Sequence, residues 1–297
     1  MNTPTHVPVL VQEVLRGLDA GVPGVYIDGT LGTGGHAAAL LEAHPRSSLI
    51  GLEVDELSLE RALTRLAAFE GRVSLYQSDY RNLPDLDIPW PDVRGVVLDL
   101  GLSSFQLDAP ERGFSFNSEG PLDMRFDLRN KTTAHKILHK HSEARLAQIF
   151  REFGELRQAR LLARRVISAR KGDGLQTTTQ LRRLVEEVCR WRPQKGKVHP
   201  AAKVFQALRI EVNNELDGLD GFLERVLRLL APRARMAVIT FHSLEDRIVK
   251  RTFLRLAGGE EKSLVRILTK KPVTPSADER AANSRSHSAK LRIAEKI

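Results

Sequence analysis

Tyr26-Ile27-Asp28-Gly29-Thr30-Leu31-Gly32-Thr33-Gly34-Gly35-His36 is the stretch that decides how this chain is read. It closes an apolar run, Gly24 to Ile27, and opens onto Ala37-Ala38-Ala39-Leu40-Leu41-Glu42, a helix-forming segment. Strand, glycine turn and helix, in that order, is how an open α/β sheet holds a nucleotide-like ligand. Glycine allows a tight turn and close backbone approach, and the helix start offers N–H groups with no partner of their own. Taken alone the turn is weak, because many structural turns share its composition. Two later runs give it weight. Ser48-Leu49-Ile50-Gly51-Leu52-Glu53 ends in an acid about 20 residues past the turn, where such folds hold a ribose hydroxyl pair. Val96-Val97-Leu98-Asp99-Leu100-Gly101 is a further apolar strand ending in an acid.

Outward from this stretch, strands and helices alternate. His6 to Val11 leads into a short helix, Gln12 to Leu18. Asp55 to Ala68 carries Leu59, Ala62, Leu63 and Leu66 at helix spacing, and Arg72 to Tyr76 is a third strand, followed by Asp79-Tyr80. The residues from Leu83 to Asp92 form a loop rich in proline and aspartate, before a fourth strand from Gly95 to Leu100. This alternation predicts a parallel sheet covered by helices. Gly101 to Asp123 breaks the pattern, and its two phenylalanines and short polar residues predict an ordered, ligand-facing loop. Thr133 to Arg192 reads as helix throughout, interrupted at Gly172-Asp173-Gly174-Leu175, with a new start at Thr177-Thr178-Thr179. Helices over His199–Asn214 and Leu219–Leu230 lead to a fifth strand, Arg235 to Phe241, and a helix beginning at Ser243. Leu264–Leu268 and Leu291–Ala294 fit a closing hairpin, and the polar stretch Lys270 to Lys290 between them is expected to be a mobile loop.

Composition narrows the class. The chain has 297 residues, 41% hydrophobic and 28% charged, which reads as soluble and globular. Its one cysteine, Cys189, rules out an intrachain disulfide and falls at a helical core position. There is no signal-peptide pattern at the start and no apolar run of about 18 residues, so a cytoplasmic location is expected. The net charge of +9 is uneven: Arg125 to Lys203 holds 20 Lys+Arg against 7 Asp+Glu. So local an excess points to a polyanion, with nucleic acid preferred over a merely solvated helical surface. The nine histidines show no metal-ligand spacing, and no metal is proposed.

The acids choose between cofactors. A pyrophosphate needs only the glycine turn and the bare helix start. S-adenosylmethionine (SAM) has no phosphate and needs an acid for its ribose, polar groups for its methionine end and an adenine slot. Asp28, Glu53 and Asp79-Tyr80, all near strand ends, favour SAM. No hydride-transfer constellation is present, and the turn lacks the Gly-Lys-Ser/Thr ending of a P-loop.

The sequence closely resembles the ribosomal RNA small-subunit methyltransferase H family, also called MraW. The resemblance is carried by His6–Leu10, the Asp28–His36 turn, Leu98-Asp99-Leu100-Gly101 with Ser103-Ser104 and Gln106-Leu107-Asp108, and Arg112–Phe116. Further matches are Gly120–Arg125, Phe205–Ile210 and Phe241–Arg247, so it runs over nearly the whole chain. It implies a class I SAM-dependent methyltransferase, α/β and Rossmann-like, whose mostly parallel sheet has an antiparallel closing strand and carries an all-helical insert. On that reading the methyltransferase domain occupies 1–108 and 199–297 and the basic helical insert 109–198. The implied reaction is methylation of N4 of one cytidine in the decoding centre of 16S rRNA, in the small ribosomal subunit. The implied SAM contacts are Gly34, Gly35, His36, Glu53, Tyr80, Asp99 and Gln106. Phe105 stands where the family has proline, Glu53 where aspartate is also common, and Ser284 where Asn-Pro-Arg is expected.

The chemistry points to the same residues. An exocyclic amine is a poor nucleophile, so an acceptor that holds it favours attack and later receives the proton. Asp99 ends a strand where it can do this, with Ser103 and Ser104 behind it, or it serves only as a SAM ligand. The target base must leave its stack; Phe105, Phe114 and Phe116 either stack on it or pack the insert. His242 and Arg247 are candidates to meet the substrate, His242 alternatively as a helix cap. A DNA amino-methyltransferase is disfavoured because Asp99-Leu100-Gly101-Leu102 replaces its Asp/Asn-Pro-Pro-Tyr/Phe run. A non-catalytic RNA-binding assembly protein is disfavoured by the intact acids at 28, 53 and 99.

Overall fold

The computed structural model describes residues 8–172, 174–194, 196–258 and 263–297, with the backbone alone for Ser104. His6 and Val7 of the first motif, and Asp173 in the helix break, lie outside the described residues. The chain divides into two compact units, Met1–Gly101 with Gly218–Ile297, and Leu102–Asp217.

The first unit is built on one sheet. Its strands are β1 (Val25–Asp28), β2 (Ser48–Glu53), β3 (Val73–Gln77), β4 (Val93–Asp99), β5 (Arg235–Thr240), β6 (Val265–Ile267) and β7 (Lys290–Lys296). They lie in the order β3-β2-β1-β4-β5-β7-β6. Neighbours from β3 to β5 are parallel, and β7 runs antiparallel to both β5 and β6. This is the class I methyltransferase sheet with its antiparallel closing strand. Alternation along the strands explains why both faces are covered. Ile27, Ile50, Leu52, Val96, Leu98, Met236 and Val238 enter one core. Their neighbours Tyr26, Leu49, Val97, Ala237 and Ile239 enter the other. On the second face lie α1 (Val11–Leu18), α2 (Gly35–Ala43) and α3 (Glu56–Leu66), which supply Val14, Leu18, Leu40, Leu41 and Leu66.

The second unit begins with α4 (Ser104–Asp108), followed by α5 (Ala134–Lys140), α6 (Glu143–Glu152), α7 (Ala159–Ala169), α8 (Thr178–Cys189) and α9 (Pro200–Asn213). Side-chain oxygens of Thr133, Ser142 and Thr177 cap α5, α6 and α8. In the first unit α10 (Leu219–Leu229) and α11 (Ser243–Ala257) cover the remaining face of the sheet, and α12 (Ala277–Ala282) precedes β7. No helix among the described residues is long and apolar enough to cross a membrane.

Four features differ from the sequence reading. The stretch Thr133 to Arg192, read as helix broken only at Gly172–Leu175, is also broken before Ser142, which caps α6, and between Glu152 and Ala159. The unit boundaries fall at 101/102 and 217/218, not at 108/109 and 198/199. The reason is packing: Ala201, Val204, Phe205, Ala207, Leu208 and Val212 of α9 are buried in the helical unit's own core. The stretch Lys270 to Lys290, expected to be a mobile loop, is ordered. Ser276 caps α12, Ser286 is fully buried, and Val273 bridges to Leu291. Lastly, the loop read as ligand-facing packs, from Leu102 onward, within the helical unit. Arg112, 4% exposed, donates from Nη2 to the carbonyls of Arg125 and Phe126 at 2.9 and 3.1 Å. Phe114 stacks on Phe126, and Phe116 lies against His199 and Phe205. Of the two roles open to Phe114 and Phe116, insert packing is the one the structure shows.

Candidate active site

Asp28, Glu53 and Asp99 are the last residues of β1, β2 and β4. Because these three strands are parallel neighbours, their terminal acids come out at one edge of the sheet, where the strand order reverses between β1 and β4. The glycine turn crosses that edge. Gly29 N–H donates to the Val97 carbonyl at 3.0 Å, and Leu31 N–H to the Leu52 carbonyl at 2.8 Å. Close approach explains Gly29, where a Cβ would stand 2.6 Å from Leu98 Cδ2. Gly34 caps α2 at φ +79, a left-handed conformation that supplies no capping side chain. Of the first N–H groups of α2, that of Ala37 acts on Asp28, and those of Gly35 and His36 have no side-chain cap.

Around the turn sits a group of buried ionisable side chains. Asp28 is 1% exposed; its Oδ1 accepts from Thr30 N–H at 3.2 Å and its Oδ2 has no hydrogen-bond partner. Burial pushes Asp28 up to about 6, against the pull of His36 and the Thr30 N–H. His36 Nε2 is buried without a hydrogen-bond partner and lies 3.6 Å from Asp99 Oδ2. Burial works against its imidazolium, but Asp99, Asp28 and Glu279 outweigh burial and raise its pKa. Asp99 N–H donates to Thr30 Oγ1 at 2.6 Å, which fixes the strand end, while Asp99 Oδ1 is buried and unpartnered. Glu53 accepts from Gly32 N–H at 2.7 Å through Oε2, and from Val54 and Asp55 N–H at 2.9 Å through Oε1. Burial nevertheless pushes it up to about 7.

Glu53 thus ties the turn to the end of β2. Tyr80 follows β3, its ring edge-on to Phe222 at 4.9 Å and under the Arg81 guanidinium. Ser103 and Gln106 belong to the helical unit and pair with each other there. Ser103 Oγ accepts from Gln106 N–H at 3.2 Å and Gln106 Oε1 from Ser103 N–H at 3.0 Å, a reciprocal cap on α4. The Ser-x-x-Gln spacing is the signal that foretells this cap. The Ser104 side chain lies outside the described residues. His242 caps α11: its Nδ1 accepts from Glu245 N–H at 3.4 Å, and Nε2 lies 3.1 Å from Glu245 Oε1. Arg247 is exposed in the second turn of that helix.

A family model described as the MraW methylase family matches residues 3–297. The chain belongs to the MraW methylase family. Curated relatives called ribosomal RNA small subunit methyltransferase H include one from Cyanothece sp., 45% identical over 98% of this chain and 95% of its own length. Another, from Nitratidesulfovibrio vulgaris, is 43% identical over 98% and 95%. A third, from Syntrophotalea carbinolica, is 45% identical over 98% of both chains. A MraW methylase uses SAM as its methyl donor. The residues at the sheet edge suit that cofactor. The unpartnered oxygen of Asp28 is an acceptor for a cationic group, the start of α2 and His36 are donors for a carboxylate, and Glu53 is an acceptor for hydroxyls.

Burial that raises the pKa of the Asp28 and Glu53 carboxyl groups in this MraW methylase site works against its stability at neutral pH. The folded-state pKa of Asp28 lies above its ordinary 3.8, so the folded chain holds the proton more tightly than the unfolded one. Stability therefore falls as pH rises from about 4 to about 6 and stays low above that. Asp28→Asn, which keeps the acceptor for Thr30 N–H, is expected to stabilise the chain by about 2–3 kcal/mol near pH 8. The gain should vanish near pH 4. Urea unfolding at several pH values checks this, and an asparagine variant less stable than wild type near pH 8 would show the carboxylate to be stabilising.

Proposed function

We propose that this MraW methylase transfers a methyl group from SAM to N4 of a cytidine in the decoding centre of 16S rRNA. The observation that carries the reading is Asp99: a buried carboxylate oxygen without a partner, on the carboxyl edge of β4, next to His36 at the glycine turn. On this reading Gly34, Gly35, His36, Glu53, Tyr80, Asp99 and Gln106 hold the cofactor. Bound SAM would supply an electrophilic methyl on its sulfonium for transfer to nitrogen, with S-adenosylhomocysteine as the leaving group. Asp99 Oδ1 accepts a hydrogen bond from the amine, directs its lone pair and takes the N–H proton once the new bond has formed. Ser103 and Ser104 are proposed to orient the amine, and Arg247, on the helix that His242 caps, to meet the RNA. The helical unit, with 22 Lys+Arg against 14 Asp+Glu, suits a phosphate backbone.

Small ribosomal subunits lacking the modification, naked 16S rRNA and duplex DNA are offered with labelled SAM, and the products are read by nucleoside mass spectrometry. N4-methylcytidine in RNA is the expected product. Cofactor binding without transfer to any RNA, or label in DNA alone, would overturn the proposal.

A further inference from the structure

The N-terminal segment and the C-terminal stretch before β7 meet at the glycine turn, all within the sheet unit. Ser276-Ala277-Asp278-Glu279 begins α12 as a capping pattern, and Ser276 Oγ accepts from Glu279 N–H at 3.0 Å. In such a pattern the glutamate ordinarily turns back to its own cap. Here Glu279 Oε1 instead accepts from Leu10 N–H at 2.7 Å, across 269 residues of chain. Leu10 is 1% exposed and holds φ 56, a left-handed conformation that a leucine adopts only when its surroundings impose it. That bend sets the direction of Val9 and Pro8. The Pro8 ring then lies on Gly35, where a Cβ would come within 2.9 Å of Pro8 Cγ. Gly35 is the first residue of α2 and His36 the second. Glu279 also acts on His36 through its charge.

We infer that Glu279 is a positioning residue for the cofactor site: by holding Leu10 it presses Pro8 onto Gly35 and so fixes the Gly34-Gly35-His36 turn. This rests on the reading that SAM binds at that turn. The carboxylate acts as a hydrogen-bond acceptor at a distance and does not itself touch the cofactor. An exchange that keeps the acceptor should be tolerated, and one that removes it should loosen cofactor binding while leaving the chemical step alone.

The test uses the full chain with S-adenosylhomocysteine binding by calorimetry, and KM for SAM against kcat on small ribosomal subunits. Glu279→Ala is expected to weaken cofactor binding and raise KM about tenfold, the scale of a lost charge-assisted hydrogen bond, with kcat within about twofold. Glu279→Gln should stay within about twofold of wild type, because its amide oxygen still accepts from Leu10. Pro8→Ala, which keeps the hydrogen bond but removes the ring from Gly35, should weaken binding in the same direction and decides the matter if Glu279→Ala fails to fold. Wild-type affinity in both Glu279→Ala and Pro8→Ala, or Glu279→Gln as weak as Glu279→Ala, would overturn the inference. Wild-type protein that binds no S-adenosylhomocysteine would instead overturn the cofactor reading beneath it.

Discussion

Asp99→Ala is expected to lower methyl transfer about 10³-fold in single turnovers at saturating SAM, the range for losing a positioned proton acceptor. The fold should survive. The backbone N–H of Asp99, bonded to Thr30 Oγ1, is kept, and the side chain removed has one oxygen without a partner. Asp99→Asn separates the two parts of the role. Its amide oxygen still holds the amine but cannot take the proton, so a smaller loss is expected than for alanine. His36 provides a second readout. Asp99 contributes the largest of the interactions that raise its pKa, so an NMR titration should show that pKa falling in either variant. A single-turnover rate unchanged at saturating SAM would leave Asp99 as a cofactor ligand alone.

Gly113→Ala and Gly120→Ala are expected to destabilise the helical unit by more than about 3 kcal/mol each. Gly113 has φ +69, and a Cβ there would stand 2.0 Å from the Pro121 carbonyl oxygen. At Gly120 a Cβ would stand 1.8 Å from the Pro110 carbonyl oxygen. Both obstacles are backbone, so no side chain can swing aside. The strands of loop they separate are pinned elsewhere: Gly120 N–H donates to Thr178 Oγ1, Thr178 N–H to the Gly120 carbonyl, and Pro121 bridges to Thr177. Relief at either glycine therefore means giving up the start of α8. Denaturant unfolding and hydrogen exchange read the effect, with amides of α5 to α9 expected to exchange faster. Unchanged unfolding midpoints would mean that the loop has another low-energy path.

The two effects fall on motifs that looked alike in the sequence. Asp28–His36 and Leu98–Gly101 were legible as a ligand site because each is local: an apolar run ends in an acid, and glycines follow or precede a helix. Arg112–Phe116 and Gly120–Arg125 read as part of a ligand-facing loop, yet Arg112 and Phe114 are buried and Gly113 and Gly120 serve backbone contacts. Nothing in the spacing of a phenylalanine tells whether its partner will be a base or Phe126.

What the sequence determined by itself was whatever depends on neighbours along the chain. The alternation of strand residues between two cores, the glycine turn, the start of α8 at Thr177, and the acids at strand ends all follow from periodicity and short-range hydrogen bonding. Tertiary structure alone decided the rest. It brought His36 to Asp99, left Asp28 almost without solvent, packed α9 into the helical unit, and sent Glu279 to Leu10 in place of its own helix cap. The reason is common to all four. A buried polar atom or apolar side chain takes whatever partner the folded chain brings to it, and that partner need not be near in sequence.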